Sequence, residues 1–266
     1  MPELPDVEIF KRRFEESALD QNIQEIVVQD ERLLKDIGVD AFKSRLSGRS
    51  FQEVSRHGKY CFAAVSGAVG WLVLHFGMTG YLIHVQAETE HPKETTVSFA
   101  MSSGRLVYAS LRKLGYLTLI SDRDAFIAEQ DLGPDPLDGS LTRDTFLERI
   151  ESRKGRLKSA LMNQSVLAGI GNIYADEILF QAGLHPGVQI KDLSRGQLGS
   201  VYAAMATVFQ SAVEHGADPE RLPQHFLIPH RSENERCPVC GGPISRLTMS
   251  GRSAYFCPDC QPESSG

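Results

Sequence analysis

Between residues 5 and 18 the apolar residues Val7, Phe10 and Phe14 recur at the three-to-four spacing of one helix face, which predicts an amphipathic helix. Pro5 suits its first turn, where a missing N–H costs nothing. From there to about residue 120 the pattern shifts to short runs with period-two alternation. YCFAAVS and WLVLHFG, separated by GAVG, predict two strands and a turn. TTVSFAM, SSG and RLVYAS predict a hairpin with Val97, Phe99 and Met101 on one face, and GYLTLI predicts a further strand. LGPDPLDGS at 132–140 collects Gly, Pro and Asp and reads as a linker. Beyond it the helical period returns. LTRDTFLERI, with a cap at Thr142, is followed by RLKSALMNQ, IYADEILFQAG and a long segment with apolar residues at Leu198, Val201, Tyr202, Met205, Val208, Phe209 and Ala212. Two glycines frame Ile170 between the second and third of these helices, where they allow tight turns and the close approach of another backbone or a phosphate. Residues 216–236 are polar and contain prolines.

Composition narrows the class. The chain has 266 residues, 41% hydrophobic and 23% charged. Such a chain buries a core without disulfides and is neither disordered, collagenous nor a coiled coil. No apolar run approaches the ~20 residues of a membrane span. The start MPELPDVEIF has no apolar core, so no secretory signal is expected and the cytoplasm is the expected location. The net charge of −6 weighs against a nucleic-acid partner. A local patch offsets it: Arg153, Lys154, Arg156 and Lys158 fall in a stretch, 152–174, without a single acid.

Cysteine spacing adds chemistry. Cys61 lies in an apolar run and reads as a small buried hydrophobe. Cys237, Cys240, Cys257 and Cys260 form two C-x2-C pairs sixteen residues apart, the spacing of a zinc ribbon. A pair of disulfides is the alternative, disfavoured in a chain without a secretion signal. The N-terminus is the other chemical feature. Trimming of Met1 would leave Pro2 as a secondary amine with a pKa near ~8, partly neutral and nucleophilic at pH 7. Its adduct with an aldehyde carbon is a cationic iminium, and Glu3 beside it could move protons. The plainer reading of MPELPDVE is a leader before a helix.

Five segments in order, MPELPDVE, HGKY (57–60), HFGMTG (75–80), NQSVLAGIGNIYADEIL (163–179) and GRSAYFCPDCQ (251–261), resemble the formamidopyrimidine-DNA glycosylase and endonuclease VIII family. The start MPELP resembles the formamidopyrimidine branch. The resemblance implies an α+β chain. An N-terminal β-sandwich with flanking helices (1–131) is followed by a linker (132–140), a helix–two-turn–helix domain (141–231) and a four-cysteine zinc ribbon (232–266) holding one structural Zn2+. It implies a monomeric enzyme acting on double-stranded DNA that contains damaged bases or abasic sites. Such an enzyme excises oxidised or ring-opened bases and cleaves the strand by β,δ-elimination through a Pro2 Schiff base. By the same resemblance Glu3 is the catalytic acid, and Lys59, Asn172 and Arg252 grip phosphates. Met78 and Leu114 fill the space of an extruded nucleotide, Arg112 meets the opposite base, and Asp6 and Glu177 lie near the lesion. Taken alone, Lys59 or Arg252 reads as a surface charge, Asn172 as a turn residue, Met78 as core, and Glu177 as a first-turn helix charge.

Three departures stand out. Leu114 replaces the branch's usual phenylalanine, Asp6 replaces a usual glutamate, and 215–231 lacks the glycine-rich, threonine-containing stretch that partly closes over an extruded 8-oxoguanine. These imply a divergent paralogue whose preferred base need not be 8-oxoguanine. A non-catalytic protein that binds damaged or abasic DNA is the alternative, which intact Pro2 and Glu3 argue against.

Overall fold

The computed structural model describes residues 1–86, 89, 91–249 and 251–263. Ser250, in the expected zinc hairpin, and the closing residues 264–266 of the expected zinc-ribbon domain lie outside them. The chain divides into two compact units, one of residues 1–2 and 6–130, the other of residues 3–5 and 131–266.

The first unit contains two four-stranded antiparallel sheets and three helices. Helix α1 (Leu4–Ala18) opens the chain and buries Val7 and Phe14, as the spacing predicts. Strands β2 (Phe51–His57), β3 (Tyr60–Val65), β4 (Gly70–His75) and β8 (Tyr116–Ile120) form one sheet in that order. The other runs β1 (Glu25–Val28), β6 (Thr95–Met101), β7 (Gly104–Ser110) and β5 (Gly80–Val85). Side chains from both sheets meet α1 in one core: Val54, Ala63, Leu72 and Leu74 from the first sheet, Ile26, Phe99 and Leu106 from the second. Phe51 packs edge-on against both Phe14 and Phe99. Cys61 is fully buried there, and burial pushes its thiol up. The predicted hairpins are the pairs β3–β4 and β6–β7. Two helices, α2 (Val39–Leu46) and α3 (Arg123–Glu129), fall where periodicity gives no helix. Each spans about two turns and buries only one or two large side chains, too few for a period to register.

The second unit is helical and ends in a hairpin. Its helices are α4 (Arg143–Glu151), α5 (Leu157–Leu161), α6 (Asn172–Gln181) and α7 (Arg195–Glu214). Thr142 caps α4 by accepting the Thr145 N–H, and Ser194 and Gln197 close a capping box on α7. Leu4 enters this core beside Ile170, its N–H bonded to the Gly169 carbonyl at 3.0 Å. Residues 132–140 are laid onto the same unit. The Gly133 N–H reaches the Gln164 carbonyl at 2.8 Å, and the Pro134 carbonyl takes the Ala168 N–H at 3.1 Å. Strands β9 (Ser245–Met249) and β10 (Arg252–Phe256) pair antiparallel, Met249 opposite Arg252. Among the described residues no helix is long and apolar enough to cross a membrane.

Candidate active site and nucleic-acid interface

Glu3 is buried, yet it is not an isolated charge. One carboxylate oxygen accepts the Gly171 N–H at 2.8 Å and the Tyr174 N–H at 3.2 Å; the other accepts the Ile173 N–H at 2.9 Å. These are donors at the N-terminus of α6, left without partners inside the helix and favouring negative charge. Gly171 makes the approach possible, because a Cβ there would overlap the Glu3 carboxyl group. Gly169 adopts φ +101° and would likewise collide with Leu4 if it carried a side chain. The two glycines around Ile170 thus admit a close approach, but by the Glu3 carboxyl and the Leu4 side chain rather than by the backbone or phosphate expected. Pro2, half-buried, precedes Glu3 directly, and Asp6 occupies the first turn of α1.

A cavity of about 220 Å³ lies between α5, the start of α6 and the terminal hairpin, lined by Lys158, Ser159, Asn163, Asn172 and Arg252. Asn172 is fixed by donating its amide to the Ser253 carbonyl at 2.9 Å, which ties α6 to the hairpin. Arg252 is exposed at the start of β10. Of the basic residues in the expected patch, Arg153, Lys154 and Arg156 are exposed, and Lys158 alone departs from a surface position. Lys158 is buried, its ammonium 2.6 Å from Asp176. Asp176, also buried, accepts two bonds from the Arg231 guanidinium at 2.7 and 3.0 Å and one from the Tyr255 N–H at 3.1 Å. Arg231 lies over the Tyr255 ring. Burial pushes the Lys158 ammonium down, and the Asp176 charge opposes that shift. One signal was present in the sequence. Helix α6 is apolar on nearly every side, so an acid within it needs a buried partner.

Glu177 is not the first-turn charge that its local pattern suggested: it sits in the middle of α6, fully buried. It accepts the Ile228 N–H and the Gln181 amide, each at 2.8 Å. Burial pushes its carboxyl up to about 7, and those hydrogen bonds oppose the shift. Together Glu177 and Asp176 hold the 226–231 segment to α6, with Phe226 and Leu227 buried beneath it. The end of the 215–231 segment is thus a fastened strap.

In the first unit, Lys59 lies at the β2–β3 turn, followed by Tyr60, whose ring packs on His75. His75 is pushed down to about 4, by burial first and then by the Lys59 and Lys35 charges. Met78, in the β4–β5 turn, and Arg112 and Leu114, in the β7–β8 turn, are exposed. The two turns are locked together: Thr79 Oγ1 accepts the Arg112 N–H at 2.8 Å, and Gly77 packs against the backbone of Leu114 and Gly115.

The four ribbon cysteines bring their Sγ atoms within 4.8 Å of one another. Cys240 and Cys257 are 3.4 Å apart, Cys237 and Cys260 3.7 Å, far beyond a disulfide bond. Four thiolates at ~2.3 Å from a tetrahedral Zn2+ lie at such spacings, and four sulfur donors close the coordination shell. The donor set fits one structural zinc.

Known proteins share this architecture. Residues 1–117 match the formamidopyrimidine-DNA glycosylase N-terminal domain, 132–223 the formamidopyrimidine-DNA glycosylase H2TH domain, and 234–262 a zinc finger found in FPG and IleRS. A formamidopyrimidine-DNA glycosylase of Desulforamulus reducens is 34% identical over 98% of this chain and 99% of its own. One from Herpetosiphon aurantiacus is 33% identical over 98% and 100%. The Lactococcus lactis formamidopyrimidine-DNA glycosylase, solved non-covalently bound to DNA with an abasic site, superposes with a TM-score of 0.86 at 28% identity, covering 98% of this chain and all of that one. MutM in complex with DNA containing carbocyclic 8-oxo-G gives 0.87 at the same identity and coverage. Matched in order by three domains and aligned over almost the full length of relatives above 30% identity, the chain belongs to the formamidopyrimidine-DNA glycosylase family.

Proposed function

We propose that this chain is a bifunctional DNA glycosylase and abasic-site lyase that removes oxidised or ring-opened bases from duplex DNA. The Pro2 nitrogen, freed of Met1, attacks C1′ of an extruded nucleotide and the base departs. The C1′–O4′ bond of the adduct then opens as O4′ takes a proton, leaving an iminium that draws electrons from C2′–H, so loss of that proton expels the 3′ phosphate and a second elimination expels the 5′ phosphate. Glu3 carries protons to and from the reacting sugar. Lys59, Asn172 and Arg252 hold backbone phosphates. Met78 and Leu114 occupy the emptied stack, Arg112 meets the orphaned base, and Asp6 lies toward the lesion. Glu177 acts at a distance, by holding the strap.

One observation carries this reading: Glu3 is anchored by three backbone N–H groups at a helix N-terminus, with the candidate nucleophile one residue away. A pure binding protein has no use for a buried carboxylate held so closely beside a secondary amine. The lack of a glycine-rich, threonine-containing stretch in 215–231 supports a lesion range not limited to 8-oxoguanine. The test is borohydride trapping on duplexes bearing an oxidised purine, an oxidised pyrimidine or an abasic site. A covalent adduct with abasic DNA that disappears when the N-terminal amine is acetylated is expected. Strand cleavage at full rate by acetylated protein would remove the Pro2 mechanism. DNA binding without any adduct would favour the non-catalytic alternative.

A further inference from the structure

Six large hydrophobic side chains are exposed among the described residues: Met1, Met78, Leu111, Leu114, Val239 and Leu247. Three of them lie in the two interlocked turns after β4 and β7, and Leu111, at 69%, is the most exposed of all. A single exposed leucine is ordinary, but three on one rigid platform form a patch that needs an occupant.

The platform is fixed at several points. Besides the Thr79–Arg112 bond, Ser110 Oγ accepts the Lys113 N–H at 3.2 Å. Lys113 takes the left-handed conformation (φ +52°), and its ammonium sits 2.7 Å from Asp30. Asp30 is gripped from its other side by Arg32, and these cations hold its carboxyl well below the usual range. Gly77, at φ +59°, leaves no room for a side chain against Leu114. The side chains of Leu111, Arg112 and Leu114 therefore project from a backbone that cannot yield. Lys113 is already committed to Asp30, whereas the Arg112 guanidinium has no hydrogen-bond or ion-pair partner among the described residues.

We infer that Leu111 is a specificity-determining residue: with Met78 and Leu114 it forms the apolar face that enters the duplex beside the extruded nucleotide and bears on the opposite base. The inference rests on the proposed glycosylase function. An unpaired guanidinium beside three apolar side chains matches the two aspects of a nucleobase, its apolar face and its acceptor-bearing edge. The adjoining phosphates supply the complementary charge. Leu114 covers less of a base than the aromatic ring expected at its position, and Leu111, three residues earlier, restores the lost area.

The test uses the zinc-loaded full chain and Leu111→Ser. The probe is a duplex with a tetrahydrofuran abasic analogue opposite 2-aminopurine, whose fluorescence reports unstacking. Leu111→Ser should weaken duplex binding by about three- to tenfold, the scale of re-exposing part of one leucine. It should also reduce the fluorescence change and narrow the spread of cleavage rates across abasic sites facing each of the four bases. The loss on duplex should exceed that on a single-stranded abasic oligonucleotide by at least about threefold. Duplex affinity and opposite-base pattern within about twofold of the parent, while Leu114→Ser alters both, would overturn the role of Leu111 alone. If the parent forms no borohydride adduct with abasic DNA, the failure lies in the proposed function itself.

Discussion

Gly171 and Gly77 do related work in the two units, and the contrast separates two ways of preparing a site. Gly171 clears space for a carboxylate: its missing side chain lets Glu3 reach the first N–H groups of α6, and the acid ends fully buried with its oxygens engaged. Gly77 clears space for a backbone: its missing side chain lets the turn after β4 close onto Leu114 and Gly115, and the side chains of that platform are left in solvent. In the first case the proposed acid itself is immobilised. In the second the scaffold is immobilised and the side chains proposed to contact DNA are left exposed. Proton transfer tolerates little misplacement and no competing water; filling a base stack requires apolar surface that is still unspent.

The largest expected effect comes from breaking the buried arrangement. Gly171→Ala forces Glu3 off the α6 N-terminus and should slow base excision by about 100-fold, the low end of what a positioned acid contributes. Excision rates on a damaged duplex check this, and an unchanged rate would show that the α6 anchor is incidental. Next is the ion cluster behind the cavity. Asp176→Ala leaves Lys158 and Arg231 without their shared acid and should cost about 3–5 kcal/mol of stability, seen as a lowered unfolding midpoint. Gly77→Ala acts on the exposed platform. It should weaken abasic-duplex binding by about threefold through the strained φ and the displaced turn. Trapping on a single-stranded abasic oligonucleotide should suffer less. If single-strand and duplex losses are equal, the two turns are not a duplex-reading device.

A further effect is a pH dependence. Glu177 is raised to about 7 in the folded chain, against about 4.3 for an exposed glutamate. The folded state therefore holds a proton that the unfolded chain releases. Its contribution to stability is complete below the unfolded value and is lost as pH rises through about 7. Glu177→Gln should flatten the stability profile between about pH 4.3 and 7, measured by denaturant unfolding at several pH values. A profile as steep as the parent's would assign the slope to another group.

Much of the architecture was legible before any coordinates. The period-two runs located the hairpins β3–β4 and β6–β7, the three-to-four spacing located α1 and α7, and the cap at Thr142 is local chemistry. The zinc ligands followed from cysteine spacing, because a hairpin fixes which residues converge. The short helices α2 and α3 were illegible, since about two turns give a period too little room. Within the patch at 153–158, Arg153, Lys154 and Arg156 are exposed and only Lys158 is not: a lysine reads as surface until its buried acid is located, and Asp176 is eighteen residues away.

By itself the sequence determined the longer helices, two of the hairpins, the cap at Thr142, the four-sulfur site and the presence of a proline–glutamate pair at the start of the chain. These depend on neighbours within a few residues, or on spacings that one hairpin converts into distance. Only the tertiary structure decided that Glu3 and Leu4 join the helical unit while Pro2 and Asp6 belong to the sandwich. It alone decided that Lys158, Asp176 and Arg231 form one buried cluster, and that Leu111 stands exposed beside Arg112. Burial and pairing are properties of where distant segments meet, and the energy of a charge or an apolar side chain is set there, not by its neighbours along the chain.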